Sequence, residues 1–146
     1  MVDITGQKYL FVCFENINRS PMGAEIFSLM LRYRGYKVGD LNSRESCDYY
    51  VGSAGVCVNK EKTPFGVQLE ESMLEGLDTV FIANDLEEWF MVEKMGISKR
   101  ANWVVLGIKD NYDIGVDSQA RELEAILRTK LVEHLPRRRI PRSTNS

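Results

Sequence analysis

Tyr9-Leu10-Phe11-Val12-Cys13-Phe14-Glu15-Asn16-Ile17-Asn18-Arg19-Ser20-Pro21 joins an apolar run, a short polar loop carrying one cysteine and one arginine, and a helix start. Four large apolar residues, Tyr9 to Val12, fit a strand covered on both faces, as in a parallel sheet flanked by helices. Ser20 can cap free helix amides, and Pro21 suits a first helical position, where its missing N–H costs nothing. The loop therefore ends on a helix N-terminus. Unpaired N–H groups and partial positive charge at that terminus, preceded by successive loop amides, make a concavity the size of an anion. A phosphate dianion fits it.

Cysteine attacks as the thiolate, the form that amides, a helix N-terminus and a neighbouring arginine favour. Cys13 has all three in prospect. Arg19 offers a planar fork that can hold two phosphate oxygens and neutralise charge while a phosphoryl group moves to sulfur. Ser20 can donate a hydrogen bond to the thiolate. A lone cysteine after an apolar run is ordinarily a buried strand-end residue, and it is the residues following Cys13 that reverse this weighting.

The stretch Val12 to Glu25 resembles the signature of the low-molecular-weight protein tyrosine phosphatases, matching at Cys13, Asn16, Ile17, Arg19, Ser20, Pro21, Ala24 and Glu25. Two positions depart from it. Glu15 stands where glycine is common, and Asn18 replaces a second cysteine that in many members forms a reversible disulfide with the nucleophile. The resemblance implies Cys13 as nucleophile and Arg19 as phosphate clamp. Phe14, Glu15, Asn16, Ile17, Asn18 and Ser20 then form the substrate-binding loop, with Glu15 expected to point outward. It further implies that Ser53, in Gly52-Ser53-Ala54-Gly55, holds Asn16. A loop with its amides turned inward needs a residue near the left-handed region, which asparagine tolerates.

Strand and helix signals alternate along the rest of the chain. A helix is expected over residues 21–34 with Gly35 ending it, then a mobile polar connection over 36–48 and a strand over 49–54. A second helix is expected after Thr63-Pro64, a strand over 79–83, a helix over 84–95, a strand over 103–108 and a last helix over about 116–135. This order predicts a three-layer α/β sandwich with a central four-stranded parallel sheet, and the resemblance implies that it is the phosphotyrosine protein phosphatase I-like fold. Residues 1–135 are expected to form one domain of that kind. The basic stretch from Pro136 to Ser146 reads as a disordered tail.

In open parallel sheets ligands sit beyond the carboxyl ends of the strands, where Cys13, Ser53 and Asp110 all fall. Ile108-Lys109-Asp110-Asn111-Tyr112-Asp113 resembles the family's general-acid loop, commonly Asp-Pro-Tyr, which puts Asp110 at the acid position with Asp113 as its rival. Tyr112 is expected to wall the entrance and stack on an aryl phosphate.

The formal net charge of −2, from 19 basic and 21 acidic residues in 146, gives no global field toward nucleic acid or membrane surfaces. No apolar run suggests a membrane span or an export signal, so a cytoplasmic location is expected. Three irregularly spaced cysteines and one histidine make neither a disulfide framework nor a zinc site, and no metal or other cofactor is implied. The expected activity is metal-independent phosphomonoester hydrolysis on a phosphorylated protein or small aryl phosphate, with protein tyrosine phosphatase the leading reading. A noncatalytic phosphate-binding module, suggested by the charge of Glu15, is the alternative. Arsenate reductases of related pattern need further cysteines, and none follows Cys57. Arginine phosphatases of related pattern carry threonine where this chain has Ile17, whose apolar side chain favours an aryl ester.

Overall fold

The computed structural model describes residues 6–139. β1 (Gln7–Cys13) leads through the cysteine loop into α1 (Arg19–Tyr33), and β2 (Val38–Gly39) and β3 (Tyr49–Gly55) follow. Beyond them come β4 (Thr79–Ile82), α2 (Asp85–Trp89), β5 (Trp103–Val105) and α3 (Asp117–Leu131). All five strands are parallel, in the order β2-β3-β1-β4-β5. After β3 the chain crosses to the other side of β1, so the loop leaving β1 lies at the point where strand order reverses. A ligand crevice opens there in sheets of this kind.

The apolar run that opened the sequence is buried on both faces because its side chains alternate. Tyr9 and Phe11 pack with Phe27 and Leu31 of α1 and with Leu123, Leu127 and Leu131 of α3. Leu10 and Val12 turn the other way, onto Leu69, Leu74, Val80, Ile82 and Met91. Phe11 stacks on Phe81 at a centroid distance of 4.8 Å. At about 1.5–3 kcal/mol for each large side chain removed from water, β1 is anchored from both sides and its carboxyl end is a fixed platform. Gly23 lets α1 lie close on that platform, since a Cβ there would come within 2.6 Å of the Phe11 ring.

The α/β sandwich with a parallel sheet matches the expectation, with five strands where four were expected. The additional strand is β2, inside the segment read as a mobile connection. Val38 and Gly39 pair with Tyr49 and Tyr50 at the sheet edge, a ladder too short to leave a periodic signal. The helix expected after Thr63-Pro64 is reduced to one 3₁₀ turn, Glu71–Leu74. Residues before it are drawn to the end of β3: Gly55 N–H donates to Val67 O at 2.8 Å and Leu69 N–H to Gly55 O at 2.8 Å. Those backbone bonds hold the segment extended against local helical preference.

The helix over 84–95 divides into α2 and a π-helical turn, Phe90–Lys94, and the last helix ends in a 3₁₀ turn, Val132–His134. Gly35, at φ +95°, closes α1, with the Tyr36 N–H returning to Leu31 O at 3.2 Å. Pro136 to Arg139 lie against the domain: Arg34 Nη1 donates to Pro136 O at 2.6 Å and Arg139 pairs with Asp48 at 3.2 Å. The remainder of the tail, residues 140–146, lies outside the described residues.

Candidate active site

The loop between β1 and α1 curls around Cys13, which is 3 % exposed. Asn16 makes the turn, with φ +61°, a conformation its short polar side chain tolerates. That side chain then bonds in three directions. Its Nδ2 donates to Ser20 Oγ at 2.8 Å and to Ser53 Oγ at 3.0 Å, while its Oδ1 accepts the Val67 N–H at 2.8 Å. Cys13 Sγ and Ser20 Oγ are 2.9 Å apart. Ser20 Oγ accepts from Asn16 and still has its own hydrogen to donate, so this contact can serve a thiolate at Cys13.

Arg19 opens α1 and is buried, at 3 % exposure. Its Nη1 donates to Ile108 O at 2.7 Å and its Nη2 to Glu87 Oε2 at 2.7 Å. The same Nη2 lies 3.5 Å from Asp110 Oδ2. The guanidinium plane is thus fixed from two sides, by Glu87 on α2 and by the segment after β5. Asp110 is exposed. Cys13, Glu15, Ile17, Asn18, Arg19, Lys62 and Asp110 together line one cavity of about 170 Å³.

No family model matches the chain, and no curated protein matches it by sequence. Solved structures do match. A low-molecular-weight protein tyrosine phosphatase from T. tengcongensis superposes with a TM-score of 0.63 at 22 % identity, over 89 % of this chain and 100 % of that one. A mutant of YwlE from Bacillus subtilis gives 0.61 at 22 %, over 88 % and 98 %; YwlE is described as an arginine phosphatase. Another low-molecular-weight protein tyrosine phosphatase, from Streptococcus pyogenes, gives 0.61 at 14 %, over 88 % and 90 %. The chain has the low-molecular-weight protein tyrosine phosphatase fold. At these identities the likeness concerns the fold.

Within that phosphatase fold, two expected site residues turn elsewhere. Tyr112 is absent from the cavity lining: its ring packs on the α3 side of the core and its hydroxyl lies 3.4 Å from Glu122 Oε2. Desolvation and the Glu122 carboxylate raise its phenol above the ordinary value. The Phe14 ring also leaves the loop, meeting Phe90 edge-on at 5.4 Å. Glu15, expected to face outward, lines the cavity and pairs with Lys62 at 3.3 Å. The cation draws the carboxylate in and offsets its charge beside the anion site.

Three positions that shape this cavity and its loop were not read from the sequence. Lys62 lay in an unassigned polar loop. Glu87 sits on α2, where the apolar Leu86 would be expected inside, yet Glu87 is 1 % exposed and Leu86 is 55 % exposed. The buried guanidinium of Arg19 reverses the usual facing, and that partner is 68 positions away. Gly55 is the third: a Cβ there would meet Asn16 N at 2.7 Å and Phe14 O at 2.8 Å. Gly55→Ala is therefore expected to push the loop off its seat and to slow any reaction at Cys13 by on the order of 100-fold, the scale of a roughly 1 Å misplacement. Steady-state kinetics on the folded variant checks this, and turnover within about threefold of the parent would show that the loop tolerates the displacement.

Proposed function

We propose that the protein hydrolyses phosphomonoesters through a phosphocysteine intermediate, with phosphotyrosine in a protein as its leading substrate class. One observation carries the reading: Cys13, Arg19 and Asp110 line the same cavity, at the end of a loop built to receive an anion. Cys13 Sγ attacks phosphorus as the thiolate. Arg19 and the loop amides hold the non-bridging oxygens as charge shifts onto them. Asp110, as the neutral acid, gives its proton to the leaving oxygen, and the P–O bond breaks as the S–P bond forms. The resulting carboxylate then takes a proton from water attacking the phosphocysteine, releasing phosphate and restoring thiolate and acid.

Thiolate, guanidinium and carboxylic acid supply nucleophile, charge and proton, so the scheme requires no metal. Among the described residues no group of three or more histidine, cysteine, aspartate or glutamate side chains could hold a metal ion, and no helix is long and apolar enough to cross a membrane. A free thiol nucleophile fits a reducing compartment, which supports placing the protein in the cytoplasm. Ile17 lines the cavity with apolar surface, favouring an aryl ester over a guanidinium phosphate.

The test is hydrolysis, in the presence of a chelator, of an aryl phosphate, a phosphotyrosine peptide and a phosphoarginine peptide. Turnover of the first two is expected. Turnover of the phosphoarginine peptide alone would refute the aryl assignment, and absence of turnover on all three would refute an esterase in favour of a binding module.

Asp110→Asn should slow transfer from substrates with strongly basic leaving groups by roughly 10²–10⁴-fold, the typical worth of general acid catalysis, and spare good leaving groups. Asp113 is the control. Its Oδ1 accepts the Gly115 N–H at 2.9 Å and it does not line the cavity, so Asp113→Asn should follow the parent across a series of aryl phosphates. The steep leaving-group dependence appearing in Asp113→Asn instead would move the acid three residues on.

A further inference from the structure

Asn18 occupies the N-cap of α1, where an asparagine side chain ordinarily accepts an amide from the first helical turn. It makes no such bond. Its backbone oxygen takes the Met22 N–H at 3.1 Å, while its side-chain Oδ1 accepts the Ile114 N–H at 3.1 Å, across 96 residues. The cap has been diverted to another loop.

That loop carries Asp110. Its start is held to the sheet by Ile108 N–H donating to Ala83 O at 2.7 Å. Its far end is held toward α3 by Asp113 N–H donating to Gln119 Oε1 at 2.8 Å and by the Asp113 turn. Between these anchors, Lys109 to Asp113 include no proline to restrict the backbone, and Asp110 is 61 % exposed with its carboxylate 3.5 Å from Arg19. The Asn18 bond is a direct side-chain link from the floor of the cavity to this wall. Asn18 itself lines the cavity, so a shift of the wall and a shift of the floor are coupled through it.

We propose that Asn18 is a positioning residue for general acid catalysis: by holding the Ile114 amide it keeps the Asp110 loop over Cys13. The proposal rests on Asp110 being the acid. Removing the side chain should not cost α1 its cap, since no cap bond is present, so thermal stability should change little while the acid loses its register.

The experiment measures kcat/KM, which reports the phosphoryl transfer step, over aryl phosphates of graded leaving-group pKa for the parent, Asn18→Ala, Asn18→Asp, Asp110→Asn and the double variant Asn18→Ala/Asp110→Asn. Asn18→Ala should lose roughly 10- to 100-fold on phenyl phosphate and less than about threefold on a nitrophenyl phosphate, the signature of a displaced acid. Asn18→Asp keeps an acceptor for Ile114 and should retain the parent's leaving-group slope even if its added charge raises KM. In the double variant the Asn18 change should add little, because the acid it positions is gone. Equal slowing by Asn18→Ala on every substrate, or full additivity with Asp110→Asn, overturns the proposal and leaves Asp110 as the acid. A parent-like slope in Asp110→Asn overturns the acid assignment and the proposal with it.

Discussion

Cys13→Ser is expected to reduce aryl phosphate turnover by on the order of 10⁵–10⁶-fold, as loss of a covalent nucleophile does elsewhere, while leaving inorganic phosphate binding within a few-fold of the parent. The two effects separate because different atoms carry them. Turnover by the proposed route needs the sulfur, held 2.9 Å from Ser20 Oγ. Binding needs the loop amides and Arg19, whose positions are set by Asn16, Ser53, Glu87 and Ile108 rather than by the thiol. Serine is smaller than cysteine and its hydroxyl can still meet Ser20, so the loop has no reason to open. Stopped assays for turnover and calorimetry for phosphate check the pair of outcomes. Near-normal turnover in Cys13→Ser would remove covalent catalysis from the account, and loss of phosphate binding would show that the thiol shapes the loop.

Arg19→Ala should act on both turnover and stability. In the proposed reaction, loss of the guanidinium removes the charge that would face the transferring phosphoryl group, an effect on the order of 10³-fold or more, and phosphate binding should fall with it. It also leaves Glu87, 1 % exposed, without its cation. A buried carboxylate deprived of its partner costs about 3–5 kcal/mol, enough to lower the melting temperature of a domain this size by on the order of 10 °C. The double variant Arg19→Ala/Glu87→Gln separates the two roles. Removing the stranded charge should recover much of the stability and none of the activity. If the double variant melts as low as Arg19→Ala, the pair contributes packing rather than charge compensation; if either variant turns over normally, Arg19 lies outside the reaction.

The legible parts of this molecule are those whose cause is local. Alternating burial of Tyr9 to Val12 follows from the strand period alone, and Gly35 ends α1 because the chain there needs a positive φ. The left-handed turn at Asn16 was legible for the same reason. What escaped has its cause elsewhere in the chain. β2 is two residues long and exists because Tyr49 and Tyr50 offer it an edge. Residues 67–69 are extended because β3 captures them. Glu87 is inside and Leu86 outside because Arg19 is buried beneath α2.

Glu15 and Asn18, the two loop positions that depart from the resembled signature, illustrate the same limit. Their identities were plain, yet each reaches a partner on a flanking loop, Lys62 and Ile114, that no local pattern could name. Tyr112 is the converse. Its position beside Asp110 suggested a wall of the cavity, whereas the apolar surface beside α3 and the Glu122 carboxylate hold it away.

In the proposed reaction the phosphoryl group passes through the sulfur of Cys13. The most direct test of this is acid quenching of the parent protein during turnover of an aryl phosphate with chelator present, followed by mass spectrometry of the peptides. A phosphoryl group on the Cys13 peptide, absent from Cys13→Ser and accumulating further in Asp110→Asn with a good leaving group, is the expected result. Sustained turnover with no phosphoryl group on Cys13, or with one on another residue, would contradict it.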